Sequence, residues 1–215
     1  ADHTAPVLAV AFDPEGEQVA STGEDGVVML WDAASGDALQ ILSPQVADAA
    51  DAEGTAEPVD ILDGVVYSPD GTLVAAGGDT TVYVWDRASG DLRQTLETVN
   101  EGLVQDIAFS PEGDLLAVGC HNGTIQFWRT DTYGEPESLE AFVLSPVVRI
   151  AFDPNHAILV SAHGDGTLRL WNVAEGTLLS VLDAHSSRVN GLAFNADGAV
   201  LISSGDDSIM RMWDV

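Results

Sequence analysis

The five tryptophans of this chain stand at Trp31, Trp85, Trp128, Trp171 and Trp213, spaced 54, 43, 43 and 42 residues apart. A second aromatic series, Phe12, Tyr67, Phe109, Phe152 and Phe194, keeps the same rhythm at 55, 42, 43 and 42. A fixed period of this length means one supersecondary unit repeated along the chain, each copy burying an apolar face against its neighbour. Both series share a long first gap, so about a dozen extra residues lie between the first and second units.

Within a unit the pattern is of short strands and tight turns, with no 3.6-residue periodicity sustained enough for a helix. The last unit reads as strands over Val189 to Phe194, Ala199 to Ser204 and Ile209 to Trp213. Units that continue add a fourth, over Ala38 to Leu42, Leu92 to Leu96, Ser138 to Val143 and Thr177 to Leu182. Alternation along the third strand puts Val28/Leu30, Val82/Val84, Ile125/Phe127, Leu168/Leu170 and Met210/Met212 on one face, the apolar face that sheet-on-sheet packing needs. Met29, Tyr83, Gln126, Arg169 and Arg211 share the other face with the tryptophans. Ser68-Pro69-Asp70-Gly71 and Ser110-Pro111-Glu112-Gly113 are hairpin turns, with Pro presetting φ and Gly taking φ > 0.

The stretches AFDPEGEQVASTGEDGVVMLWD, VYSPDGTLVAAGGDTTVYVWD, AFSPEGDLLAVGCHNGTIQFWR, AFDPNHAILVSAHGDGTLRLWN and AFNADGAVLISSGDDSIMRMWD resemble the WD-repeat (Trp-Asp repeat) β-propellers. The resemblance implies an all-β propeller of five four-stranded antiparallel blades forming a single domain over residues 1–215. The blades fall at about 3–43, 59–97, 102–144, 145–183 and 186–215, the last lacking its outer strand. It also implies a buried hydrogen-bond network of His, Ser, Asp and Trp, complete in two units: His3, Ser21, Asp25, Trp31 and His185, Ser203, Asp207, Trp213. The fourth unit keeps Ser161, Asp165 and Trp171 with no His ahead of its first strand; the second keeps Asp79 and Trp85, the third Asn122 and Trp128.

Against 35 Asp and Glu stand seven basic residues, all Arg, for a net charge of −28. Nucleic-acid affinity rests on clustered Lys and Arg displacing counterions, so DNA, RNA and anionic membranes are excluded as natural partners. Such a charge repels itself in the compact state, a cost that concentrated salt screens, and a high-salt cytoplasm is the setting it suggests. Cys120 is the sole cysteine, so no intrachain disulfide can form. The first residues carry no basic n-region and no apolar run reaches the 18 or so residues of a membrane helix, which points to a cytoplasmic protein. The start at Ala1 suggests processing or a longer parent.

Serine, histidine and aspartate recurring together invite a hydrolase reading, but an enzyme needs one nucleophile at one site, not copies around a repeat. Cys120 and His121 are adjacent in a strand and point to opposite faces, so with His163 they offer at most two convergent ligands and no metal site. The Asp-Gly pairs are turns without EF-hand spacing, and no phosphate-binding or dinucleotide loop is present, so no cofactor is expected. The acidic, alanine-rich insertion at about 44–58 reads as a loop; propeller geometry would put it on the rim.

What remains is an interaction surface, which in such propellers is formed by the loops at the channel mouth. The candidate contacts are Glu24, His121 and Asp206, each next to a turn acid or amide, with Arg149 and Arg188 near first strands as anchors in so acidic a protein. The expected function is a non-enzymatic scaffold binding a protein or peptide. The alternative is a propeller segment completing its ring by self-association through its terminal blades, since nothing at either end looks like a closing device; a cation-binding or enzymatic propeller comes third.

Overall fold

The structure, a computed structural model, describes residues 2–44, 60–140 and 145–215; the insertion expected at 44–58 lies, from residue 45 on, outside the described residues, as do positions 141–143 of the expected fourth strand of the third unit. Two compact units divide the chain, Ala1–Glu97 and Thr98–Val215. The first holds two four-stranded sheets, β1 (Val7–Phe12), β2 (Gln18–Gly23), β3 (Val28–Asp32) and β4 (Ala38–Leu42), then β5 (Gly64–Tyr67), β6 (Leu73–Gly78), β7 (Thr81–Asp86) and β8 (Leu92–Glu97). The second opens with a 3₁₀ turn, Val99–Glu101, and holds three sheets. These are β9 (Val104–Phe109) to β12 (Glu137–Glu140) through β10 (Leu115–Cys120) and β11 (Thr124–Arg129); β13 (Val147–Phe152), β14 (Ile158–His163), β15 (Thr167–Asn172) and β16 (Thr177–Asp183); and β17 (Val189–Phe194), β18 (Val200–Gly205) and β19 (Met210–Asp214). Strands neighbour one another in chain order and every pairing is antiparallel. Among the described residues the fold is thus all-β, with five sheets of three or four strands, and the last sheet has three. No helix among the described residues is long and apolar enough to cross a membrane.

Except in the fourth sheet, one side chain at the end of the first strand closes the hairpin that follows. The main-chain N–H of Gln18 donates to Asp13 Oδ1 at 2.9 Å, that of Leu73 to Ser68 Oγ at 2.9 Å, that of Leu115 to Ser110 Oγ at 3.0 Å and that of Val200 to Asn195 Oδ1 at 2.9 Å. Asp, Ser and Asn all serve because each presents a short oxygen acceptor. At the other end of the second strand the backbone of the segment leading into the first strand crosses very close. A Cβ on Gly23 would run into the Pro6 carbonyl oxygen, and one on Gly78 into that of Ile61, so a side chain at either position would force the main chain to shift.

The tryptophan-bearing face of one sheet packs on the branched-aliphatic face of the sheet before it. In the first unit Val65, Tyr67, Val74 and Trp85 lie against Ala20, Val28, Leu30 and Leu42. In the second, Val147, Ile150, Leu159 and Trp171 cover Ala117, Ile125, Phe127 and Leu139, while Val189, Leu201 and Trp213 cover Val160, Ala162 and Leu168. At about 25 cal/mol per Å² of apolar area, these interfaces are the main stabilising term.

The apolar alternation of the third strand recurs in the last sheet, yet Met210 and Met212 are 68% and 71% exposed there, because alternation fixes which side chains share a face and not whether another layer lies on it. The first sheet likewise leaves Val10 and Phe12 at 67% each.

Candidate interaction surface

In the first sheet, Trp31 donates its indole N–H to Ser21 Oγ at 2.7 Å, His3 Nε2 lies 2.7 Å from the same oxygen, and His3 Nδ1 lies 2.9 Å from Asp25 Oδ2. A carboxylate only accepts, so Nδ1 carries the ring proton, and the serine hydroxyl in turn donates to Nε2. Burial pushes the Asp25 carboxyl up, but the Thr4 N–H at 2.8 Å and His3 outweigh it and hold it below the usual range. The last sheet repeats the arrangement: Trp213 donates to Ser203 at 3.0 Å, His185 Nε2 lies 2.9 Å from Ser203 and Nδ1 2.9 Å from Asp207. Burial opposes the ionised Asp207 as well, yet His185, the N–H groups of Ser186 and Ile209, and Arg211 bring its pKa down to about 2.

The fourth sheet reaches the same end by another route. Trp171 donates to Ser161 Oγ at 2.9 Å, and the ring beside that oxygen is His163, at 2.8 Å and on the same strand as the serine. His163 Nδ1–H donates to the Ser145 carbonyl at 3.1 Å, a neutral acceptor where the other two rings face a carboxylate. Burial, with the nearby Arg169 charge, pulls the pKa of His163 down to about 4. A histidine placed on the second strand was not among the residues read as a brace; the signal available was its two-residue spacing from Ser161, which puts both on one face of β14.

In the second sheet Ala76 occupies the place of the serine, and the Trp85 N–H donates instead to the Ser43 carbonyl at 3.4 Å. The third-strand residue two before the tryptophan also braces in every sheet but the first, where it is Met29. Tyr83 donates to Asp60 at 2.5 Å; Gln126 accepts the Val99 N–H at 3.0 Å and donates back to its carbonyl at 3.2 Å; Arg169 and Arg211 reach Asp165 and Asp207 at 3.0 and 3.2 Å. A tyrosine, a glutamine and two arginines thus hold nearby loops and turns from one register position.

The candidate partner contacts fall as follows. Glu24, His121 and Asp206 are exposed, each just past a second strand, with main-chain N–H groups donating to Pro6, Leu103 and Arg188 carbonyls at 3.0, 2.8 and 2.9 Å. Arg188 joins Asp206 through Asn190, donating to Asn190 Oδ1 at 3.2 Å while the Asn190 amide donates to Asp206. Arg149 is exposed but sits within β13, past a bulge, where it donates to the Val148 carbonyl at 2.7 Å. Its neighbour across the sheets is Asp106, whose carboxylate accepts the Ile150 N–H at 2.8 Å and which burial pushes up to about 6 against the pull of Arg149. Cys120 is buried, its thiol pushed up to about 11, and His121 beside it is exposed, so they do not converge with the buried His163.

At the opposite strand ends of the second unit, between the hairpin turns that follow β9 and β13, lies a cleft of about 560 Å³. Its floor is Leu115, Phe152 and Val173, the partly exposed fringe of the core between those two sheets. Glu112, Asp114 and Glu137 stand around it. Sequence reading did not find it, because its lining comes from separate strands with no motif to join them.

A family model described as "WD domain, G-beta repeat" matches residues 1–32, 58–86, 90–129, 140–172 and 176–214. Among curated proteins the chain is 28% identical to Periodic tryptophan protein 2 homolog of Dictyostelium discoideum over 87% of its length. It is 26% identical to Apoptotic protease-activating factor 1 of Danio rerio over 79%, and 27% identical to Autophagy-related protein 16 of Arabidopsis thaliana over 86%. The matched regions are 19%, 13% and 33% of those relatives' own lengths, so the chain corresponds to a part of each. Five repeats matched in register, on five sheets carrying the tryptophans at the same strand position, show that the chain belongs to the WD domain, G-beta repeat family.

Proposed function

We propose that the protein is a non-enzymatic scaffold, a single WD-repeat propeller domain over residues 1–215, that binds a protein or peptide through its loop surfaces. The observation that carries the reading is where its reactive-looking groups have gone. Ser21 and Ser203 each accept an indole N–H and face a histidine, and both histidine side chains and their aspartates are at most 8% exposed, so these serines are consumed as braces. The relatives support it too: a periodic tryptophan protein, an apoptotic protease-activating factor and an autophagy-related protein share the repeat without sharing a chemistry in their names. Glu24, His121, Asp206, Arg149 and Arg188 are the contacts proposed for the partner, and a lysine-free chain of net charge −28 supports a high-salt cytoplasm as its setting.

The test is capture from host extract on immobilised protein, beside a variant with those five residues changed to Ala and an unchanged thermal melt. A partner held by the wild type and lost from the variant supports the assignment. A partner held equally by both, or none at all, overturns it.

A second reading is favoured by the exposure of Val10 and Phe12 in the first sheet and of Met210 and Met212 in the last. They are the two kinds of face that pack together elsewhere in the chain, so a second copy could supply each with its complement. Light scattering during size exclusion decides it: a mass of 22.5 kDa in both low and multimolar salt ends the reading, and a multiple of it supports the reading.

A further inference from the structure

We infer that the cleft between the turns after β9 and β13 is a peptide-binding site for a segment carrying an aromatic or large aliphatic side chain flanked by Arg or Lys. This deepens the scaffold reading and rests on it, but it uses the strand ends opposite to Glu24, His121 and Asp206.

The shape comes first. At about 560 Å³ the cleft falls in the range of sites that take most of a small ligand's surface, and its floor of Leu115, Phe152 and Val173 is apolar. Pro111 and Pro154 stiffen the turns at its edge, so little order has to be gained on binding. Burying one aromatic side chain there supplies the apolar part of the affinity.

Charge then sets what flanks that side chain. Glu112, Asp114 and Glu137 are all exposed, and no ion pair reaches them among the described residues; Asp114 accepts only the Ser110 hydroxyl, at 2.8 Å. The basic side chains at the cleft, Arg129 and His156, have acids of their own. Arg129 Nε lies 3.4 Å from Asp131, and His156 Nδ1 lies 2.9 Å from the buried carboxylate of Asp153. The cleft therefore presents three uncompensated carboxylates above an apolar floor, in a chain that repels anionic partners throughout. A cationic segment is favoured both on approach and in place.

The experiment is fluorescence anisotropy with three labelled pentapeptides, Gly-Arg-Phe-Arg-Gly, Gly-Arg-Gly-Arg-Gly and Gly-Glu-Phe-Glu-Gly, on the whole chain. The first is expected to bind saturably and about tenfold more tightly than either other, weakening as salt is raised. Glu112→Gln with Glu137→Gln is expected to weaken it about fivefold, since exposed rim pairs are individually weak. Ala157→Trp, at an exposed cleft residue, is expected to abolish it by filling the space; Ala174→Trp serves the same purpose should the first melt early. Equal binding of the first two peptides would show general attraction to an acidic surface and overturn the site. So would binding that survives both Trp variants, or no saturation. A partner lost from the five-residue Ala variant alongside cleft peptides that fail to bind would leave the scaffold standing and remove only this site.

Discussion

His163 stands two residues from Ser161 on one strand and gives that serine the ring contact, at 2.8 Å, that His3 gives Ser21 from 18 residues away at 2.7 Å. The same chemical need is met from a different chain position, and the acceptor beyond the ring changes from a carboxylate to the Ser145 carbonyl. That change matters for pH. A buried ring donating to a neutral carbonyl, with the Arg169 charge nearby, resists protonation.

The first prediction follows from that resistance. With its pKa lowered to about 4, His163 contributes stability that is present above its unfolded value near 6.5 and lost as pH falls towards 4. His163→Gln removes the titration and, by leaving buried partners poorly matched, costs about 1–3 kcal/mol at neutral pH. Denaturant melts from pH 7 to pH 4 are expected to show the gap between wild type and variant narrowing steadily. A constant gap would mean that the ring does not titrate differently on folding.

Asp106 carries the opposite sign. Its carboxyl is raised to about 6 by burial, so its contribution is favourable below about pH 4, where both folded and unfolded forms are protonated, and fades as pH rises through 6. Asp106→Asn keeps an oxygen for the Ile150 N–H and removes the buried charge. The variant is expected to melt higher than wild type at pH 8 and at the same temperature at pH 4. A variant that melts lower at pH 8 would show that the Arg149 attraction outweighs burial.

Glycine offers a test of close approach separate from backbone strain. At Gly23 a Cβ would strike the Pro6 carbonyl oxygen, which belongs to a main chain that cannot swing aside, while at Gly134 nothing lies within 4 Å. Neither residue has a positive φ, so the difference between them is one of space. Gly23→Ala is expected to cost about 1–3 kcal/mol, the usual range for overpacking, and Gly134→Ala to be neutral within about 0.5 kcal/mol. Equal effects in chemical denaturation would show that the β1 entry segment is free to move.

The five sheets were legible because each tryptophan sits at a fixed strand position and β-alternation does the rest: Ala38–Leu42 has the bounds that pattern gives, and β19 begins at Met210, one residue later than read. What pattern cannot carry is what lies opposite a face. Met212 and Leu30 hold equivalent places in their strands, one 71% exposed and the other 2%, and only the packing separates them. The bracing role of His163 is hidden for a related reason, since the repeat draws attention to histidines ahead of a first strand. The cleft floor was out of reach altogether, as Leu115, Phe152 and Val173 belong to different hairpins and meet only in three dimensions.

Salt should act on this protein in two ways at once. With a net charge of −28, raising ionic strength to 1 M cuts the screening length to about 3 Å and relieves self-repulsion, so the melting temperature is expected to climb with potassium chloride. The same screening removes what keeps like-charged copies apart, leaving the methionines of β19 free to seek cover. Met210→Ser with Met212→Ser removes that drive from side chains already in solvent, so the fold is expected to keep its melting curve within about 0.5 kcal/mol. Light scattering in multimolar salt is expected to give 22.5 kDa for the variant and a larger mass for the wild type. Were both to stay at the lower mass while the melting temperature still rose, the acidity would be serving the fold alone, and the self-association reading would fall.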